Sequence, residues 1–373
     1  MTTVATPDIA PSPAESWTLP GRAYTDPQWF QQERTAIHFR SWHYAGSTQE
    51  LARPGSYVTA RILDQSVIIL RDKDLAIRGF FNVCQHRAHE LLQGRGQVSV
   101  ITCPYHAWSY GIDGHFRTGR GVADMPKATG AFNLRSVRVE TLADRFVFFN
   151  LDPHAPPLAE QAVGLEAELR AEVPDFAQLI ASGAPSTQEI NANWKVLVDN
   201  FLECYHCRSA HPAFADMLDM QSYRVASHPH WMSQKFSLRR HDNAAYPVEI
   251  GARNTRGLFW WLWPTTTFNV LPGSSELTVF NFLPLDTARS VQTLQRFALP
   301  GAVPDSARDR YSNTDLTDED VSLCESVQRG LGSMGYQAGR FVHDPQGGEI
   351  SEVAVHQFHR LVAEALGAMK SAY

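Results

Sequence analysis

Two groups of residues in this chain have the types and spacing to hold metal. The first is Cys84-Gln85-His86, followed after sixteen residues by Cys103-Pro104-Tyr105-His106. The second is Asp199, Glu203, His206 and His211, with Pro212 directly after. Lys195, Asp199, Glu203 and His206 recur at helical spacing, so a carboxylate and an imidazole three residues apart share a face. His211 lies about 140° further round a regular helix, so both rings reach one point only if the helix bends or ends between them. Pro212 supports an end, because the residue before a proline is pushed out of the helical region. Two histidines with a carboxylate from elsewhere make the facial triad of non-haem Fe(II), which leaves positions open for dioxygen. The same residues also fit a solvated helix face with Lys195 paired to Asp199. The Cys-x-His then Cys-x2-His order departs from zinc fingers, where both cysteines precede both histidines; a structural zinc stays open on these residues alone.

The remaining cysteines are Cys204, Cys207 and Cys324, which makes five in all. An odd count with no export signal argues against a disulfide framework. Cys204 and Cys207 form a C-x-x-C without the βαβ surroundings of a redox motif, and are expected to be two small core residues.

The elements that must position these groups divide the chain. Its 373 residues, 43% hydrophobic and 11% aromatic, are globular in composition and suffice for two or three domains. Residues up to about 20 read as a flexible arm, and 26–41 as a helix. Short runs rich in β-branched and aromatic residues follow at 57–62, 66–70, 75–83, 98–102, 107–110, 137–141 and 146–151, with Asp113-Gly114 as a turn. A proline-rich break at 152–157 closes this all-β module. Beyond it, 158–172 is helical in pattern and 188–191 could be a strand leading into a helix whose apolar stripe runs from Trp194 through Leu197, Val198, Phe201 and Leu202 to Tyr205. Strands are expected at 231–238, 258–263, 268–271 and 277–283, and helices at 318–331 and 350–369. An antiparallel sheet with helices segregated onto it is an α+β arrangement.

The net charge of -6 gives no footprint for nucleic acid or an anionic membrane, and favours a cationic substrate. No apolar run is long enough to span a bilayer. Residues 1–15 lack the pattern of a signal peptide, so a cytoplasmic location is expected.

With both metal motifs in this order, nearly the whole chain resembles the catalytic (alpha) subunit of a Rieske non-haem iron oxygenase. The resemblance implies a [2Fe–2S] cluster with Cys84 and Cys103 on one iron and His86 and His106 on the other. It implies an all-β Rieske domain at 41–155 and a helix-grip catalytic domain at 156–373, with 1–40 packing on the latter. It also implies a homotrimer and a mononuclear iron on His206, His211 and an aspartate from a C-terminal helix. Asp315, Asp318, Glu319 and Asp320 are the candidates. Asp320 is selected because the run from Asp320 to Gly330 resembles carnitine and betaine oxygenases, although Thr317 and Asp320 also have the spacing of a helix capping box. Glu203 stands where the family usually has an aspartate joining the iron-site histidine to a cluster histidine, here His106, of a neighbouring subunit. Asp199, one turn earlier, is expected to share in the catalytic site. The chain carries no flavin, nicotinamide or plant-type ferredoxin fingerprint, so a separate NAD(P)H-dependent reductase of flavin and ferredoxin type must supply electrons.

The stretch 193–212 and the run 325–331 resemble the carnitine, betaine, stachydrine and choline monooxygenases. A quaternary ammonium group donates no N–H hydrogen bond and is held by aromatic ring faces. Tyr205 beside the iron ligand, and Phe259, Trp261 and Trp263 alternating onto one strand face with Trp260 on the other, are the expected box, although an aromatic-rich strand is also ordinary core. The expected reaction is hydroxylation and oxidative N-demethylation of a betaine-type compound with dioxygen. Carnitine-type C–N cleavage, choline oxidation and ring dioxygenation are the alternatives.

Overall fold

The computed structural model describes residues 9–122, 130–303 and 305–368. The first part of the expected N-terminal arm and the end of the helix expected at 350–369 lie outside these residues. The chain divides into two compact units, one of residues 39–160 and one of residues 1–38 together with 161–373. Among the described residues no helix is long and apolar enough to cross a membrane.

The 39–160 unit is all β. Its main sheet takes strands β1 (His43–Ser47), β2 (Ser56–Ile62), β3 (Gln65–Arg71), β4 (Ile77–Phe81), β5 (Arg95–Gln97), β9 (Ser136–Leu142) and β10 (Phe146–Asn150) in the order β1-β10-β9-β4-β3-β2-β5. All these pairs are antiparallel. A second sheet joins β6 (Val100–Thr102), β7 (Ser109–Gly111) and β8 (Phe116–Thr118). Strands β3 and β10 are buried along most or all of their length, so they show continuous apolar runs rather than alternation.

The other unit is built on one seven-stranded antiparallel sheet of β11 (Ile180–Ile190), β12 (Leu218–Ser227), β13 (Trp231–Leu238), β14 (Arg256–Leu262), β15 (Thr266–Val270), β16 (Leu277–Pro284) and β17 (Ser290–Ala298), in the order β11-β17-β16-β15-β14-β13-β12. Its helices are α1 (Pro27–Glu33), α2 (Leu165–Glu172), α3 (Trp194–Phe201), α4 (Cys207–Ala210), α5 (Pro212–Met217), α6 (Ser306–Arg310), α7 (Leu316–Leu331) and α8 (Val353–Ala368), with short turns beside them. Helix α3 starts where Asn193 caps it, its side chain accepting the Lys195 N–H at 3.0 Å. Trp194 of α3 and Trp261 of β14 both meet Phe358 of α8 at ring-centre distances of 5.6 Å, so helix and sheet close on one apolar layer.

Several expectations change in the folded chain. The helix expected at 26–41 is shorter: α1 ends at Glu33 and passes into a π-helical turn, Arg34–His38. The helix expected at 158–172 is broken by Gly164, whose φ of 85° lies in the left-handed region. The strand at 188–191 extends back to Ile180, and its exposed Ser/Gly/Ala/Pro stretch conceals it from pattern reading. The helix carrying the apolar stripe stops at Phe201, and Tyr205 beyond it is 52% exposed. Lys195 does not pair with Asp199. It turns inward to Glu33 at 2.7 Å, both side chains fully buried, while the Trp194 indole N–H donates to the same carboxylate at 3.0 Å.

Candidate functional site

In the all-β unit the two Cys-His motifs form matching loops. The Cys84 N–H donates to the His89 carbonyl and the Ala88 N–H to the Cys84 carbonyl; the Cys103 N–H donates to the Trp108 carbonyl and the Ala107 N–H to the Cys103 carbonyl. Ala88 and Ala107, at matching positions, both have positive φ, 55° and 58°. Cys84 and Cys103 are buried free thiols, whereas the His86 and His106 rings lie toward the surface with centres 4.6 Å apart. Two soft donors inside and two imidazoles outside are the donor set of a Rieske cluster, and match neither the all-cysteine nor the finger-type order of structural zinc. Tyr110, which sequence reading passed over, accepts the Gln85 N–H at 3.0 Å, so its own proton faces the Cys84 sulfur 3.2 Å away. A hydroxyl donor on a ligating sulfur is one of the levers on cluster potential.

The second site forms where α3 ends. The chain turns through Glu203, makes the short α4 and restarts as α5 with Pro212 as its first residue, so His206 and His211 sit before and after a one-turn helix. That break brings the two Nε2 atoms within 3.1 Å of each other. Asp320, on α7, places Oδ1 3.0 Å from His211 Nε2 and 3.6 Å from His206 Nε2. All three ligand atoms lie within 4.8 Å of one another. Thr317 does not cap α7: its hydroxyl donates to the Ser312 carbonyl, and Asp320 lies inside a helical run that continues from α6 through a π turn, Tyr311–Asp315. Asp320 therefore serves the histidines and has no part in a helix cap.

Each histidine is turned by a second carboxylate. His206 Nδ1 meets Glu203 Oε1 at 2.5 Å, and the His206 backbone N–H donates to Glu203 Oε2 at 3.1 Å. His211 Nδ1 meets Glu319 Oε2 at 2.7 Å. Each Nδ1 atom faces a carboxylate and the two Nε2 atoms point together beside Asp320, so the rings offer Nε2 lone pairs there once a cation displaces their protons, which is how metal-bound histidines are oriented. Burial opposes charge on His206, yet Asp320 and Glu203 hold its pKa up at about 10. Desolvation favours the neutral acid at Asp320, but the two imidazoles outweigh it and draw its pKa down to about 2. The cluster thus gathers positive charge at one point, which a divalent cation supplies directly.

Glu319 was one of several candidate ligands in the sequence; here it faces the outer nitrogen, Nδ1, of His211. Glu319→Gln is expected to weaken ferrous iron binding about tenfold, the lower range for loss of such a partner. Titration of the iron-depleted protein with Fe(II) checks this, and unchanged affinity would remove Glu319 from the site.

The other expected residues scatter. Asp199 is not among the residues lining the cavity at the histidines. Its carboxylate accepts from the Tyr24 hydroxyl at 2.6 Å and meets His359 Nε2 at 2.9 Å. The His359 Nδ1 atom accepts the Leu19 N–H, so the ring proton sits on Nε2 and points at Asp199. Trp260 is buried on the other sheet face with its N–H on Glu168, and Trp261 and Trp263 pack together under Phe358. None of these tryptophans, nor Tyr205, lines the cavity. Of the expected aromatic residues Phe259 does line it: the cavity, about 170 Å³, is bordered by Phe236 and Phe259 from neighbouring strands, Phe280 and Phe282 from β16, and Phe201 and Phe214 from the helices. Cys204 and Cys207 also border it; both are buried in the core, as expected, but they are joined in a disulfide, against the expectation that the chain forms none. Their Cα atoms, 4.9 Å apart across the turn into α4, are within bonding reach.

Comparison with known proteins is consistent with this geometry. The family profile for the ring hydroxylating alpha subunit (catalytic domain) matches residues 176–368, and that for the Rieske [2Fe-2S] domain matches 41–129. The carnitine monooxygenase oxygenase subunit of Escherichia coli (strain K12) is 37% identical over 362 residues, covering 95% of each chain. A solved quaternary ammonium Rieske monooxygenase, described for carnitine oxidation and inter-subunit electron transfer, superposes with a TM-score of 0.88 at 34% identity, over 98% of this chain and 99% of that one. A complex of such an enzyme with L-carnitine gives 0.85 at 35% identity, with the same coverage.

Proposed function

The chain belongs to the catalytic subunits of the Rieske non-haem iron oxygenases, and from that membership we propose that it hydroxylates a small quaternary ammonium compound of betaine type. The observation that carries this reading is the triad of His206, His211 and Asp320 bordering a cavity faced by phenyl rings. Phenyl faces attract a methylated ammonium group through their quadrupoles. His206, His211 and Asp320 would hold the mononuclear iron, and Cys84, His86, Cys103 and His106 the [2Fe–2S] cluster. When bound, these centres supply stored electrons and the activation of dioxygen.

The protein's own residues do the rest. Glu203 and Glu319 fix the two imidazoles by their Nδ1 protons. Phe214, with its ring centre 6.4 Å from that of His211, and the rings of Phe236 and Phe259 around it keep water from the ammonium end of the substrate. Glu203 is still 14% exposed, which supports a second hydrogen bond that we assign to the cluster-side histidine of a neighbouring copy in a homotrimer. A separate reductase delivers the electrons; we take it to be NAD(P)H-dependent, of flavin and ferredoxin type, acting in the cytoplasm.

Hydroxylation of an N-methyl carbon gives a carbinolamine that releases formaldehyde and the demethylated amine. The measurement is product analysis with a surrogate reductase across carnitine, glycine betaine, choline, proline betaine and simple aromatics. Formaldehyde formed in step with dioxygen uptake is the expected result. The 37% identity to carnitine monooxygenase subunits favours a second reading, attack on another carbon with release of trimethylamine, and that product would correct the reaction while keeping the substrate class. Turnover confined to uncharged aromatics would overturn both.

A further inference from the structure

The cavity has a second charged group that the iron site does not use. Arg308 of α6 and Glu276, in the hairpin before β16, both line it. Arg308 is only 12% exposed, yet the nearest carboxylate oxygens, on Glu276, Asp309 and Asp305, stand 3.6, 3.6 and 3.9 Å from its guanidinium. These are ion pairs without hydrogen bonds, so a planar fork of five donors faces the cavity unsatisfied. Two of the three acids use their other oxygen elsewhere. Asp309 Oδ2 accepts from Arg296 at 3.0 Å, and Asp305 accepts the Ala307 and Arg308 backbone N–H groups at the start of α6. Glu276 is the third, and its burial pushes its carboxyl toward the neutral form.

The position of this group also matters. Ser306 to Leu331 is one helical run, with Arg308 twelve residues before Asp320. At 1.5 Å per residue their backbones are separated by roughly 18 Å, so a long arginine side chain and a short aspartate leave a gap that a small molecule can fill. The cavity floor is graded in the same sense. Phe282, Phe280, Thr278 and Glu276 follow at every second residue along β16, all facing the cavity, so phenyl gives way to hydroxyl and carboxyl.

We propose that Arg308 is the counter-ion for a carboxylate on the substrate, so that the ligand is a zwitterion with its trimethylammonium group among the phenyl rings and its carboxylate on the guanidinium. This rests on the quaternary ammonium reading and narrows it to acids over alcohols. The zwitterion brings no net charge into the cavity, and its two ends are read by different chemistry.

The test compares Arg308→Gln and Arg308→Lys with the unaltered holoenzyme on ω-trimethylammonium carboxylates of increasing length and on their methyl esters. Kd by calorimetry is measured beside KM. Arg308→Gln is expected to raise both constants about thirtyfold for the acids, within the range for a lost charge-assisted hydrogen bond, and less than about threefold for the esters. Arg308→Lys should fall between, since it keeps the charge and loses the fork. An equal change for acid and ester would make Arg308 a structural residue and overturn the proposal, as would an unaltered enzyme that binds choline or the esters as well as the acids. If the holoenzyme neither binds nor turns over any quaternary ammonium compound, the underlying function fails, a result distinct from loss of the acid preference alone.

Discussion

Purified Asp320→Ala protein is expected to keep its red-brown colour and acid-labile sulfide, lose the iron that exceeds the cluster's two, and form no product. Asp320 is the one carboxylate within 4.8 Å of both histidine Nε2 atoms among the described residues, so its removal leaves two neutral donors. Two imidazoles do not make the two-histidine, one-carboxylate face that holds Fe(II) with positions open. The pull of His206 and His211 on Asp320, enough to draw its pKa down to about 2, disappears with the side chain. Total iron against sulfide, with the cluster's visible spectrum as an internal standard, measures the outcome. Full retention of the extra iron would move the third ligand elsewhere. Asp318→Ala, which removes a neighbouring acid in the first turn of α7, is the control and should keep all its iron.

Glu203→Gln is the second large effect, and of a different kind. Here both metal centres should remain, because His206 keeps its ring and an amide oxygen can still accept at Nδ1. What changes is the charge beside that ring and the acceptor offered outward. Product formation is expected to fall about a hundredfold, the upper range for loss of a carboxylate behind a metal-bound histidine. Single-turnover experiments on pre-reduced protein distinguish the causes. A cluster that stays reduced in the presence of substrate and dioxygen places the fault in transfer between centres, while normal cluster oxidation with poor product yield places it at the iron. Ordinary turnover would end the role given to Glu203.

The candidate metal residues stood out in the sequence because their chemistry is carried by residue type and spacing. Two cysteines and two histidines at close intervals, or two histidines five apart ahead of a proline, suit metal binding better than they suit a core or a surface. Strand β13 could be read to its ends because apolar residues and turn signals coincide there. The failures have physical causes as well. The apolar stripe of α3 continues in the sequence to Tyr205, but the folded helix stops at Phe201, so periodicity outlives the element that produces it. Alternation in the sequence groups Phe259 with Trp261 and Trp263, although β14 ends at Leu262 and Trp263 lies in the turn after it. It cannot say that Phe259 borders the cavity while the tryptophans, one pleat further, lie under α8. The roles of Glu319, Tyr110 and Arg308 escaped notice because each acts through a neighbour far away in sequence or across a cavity. Asp199 drew attention by its helical spacing with Glu203, and the fold uses it to tie Tyr24 to His359 instead.

That tie bears on how the protein is made. Tyr24 and His359, both on Asp199, are 335 residues apart, and the unit they belong to is interrupted by residues 39–160. The first 38 residues leave the ribosome early with their partners still unsynthesised. The intervening unit is continuous in sequence and can fold, and take up its cluster, as soon as it emerges. At about 10 residues per second the N-terminal segment then waits roughly half a minute for α8, and the site at His206, His211 and Asp320 cannot close before residue 320 has been made. Chain order alone thus lets the loops of Cys84 and Cys103 form first and the meeting of His206, His211 and Asp320 come later.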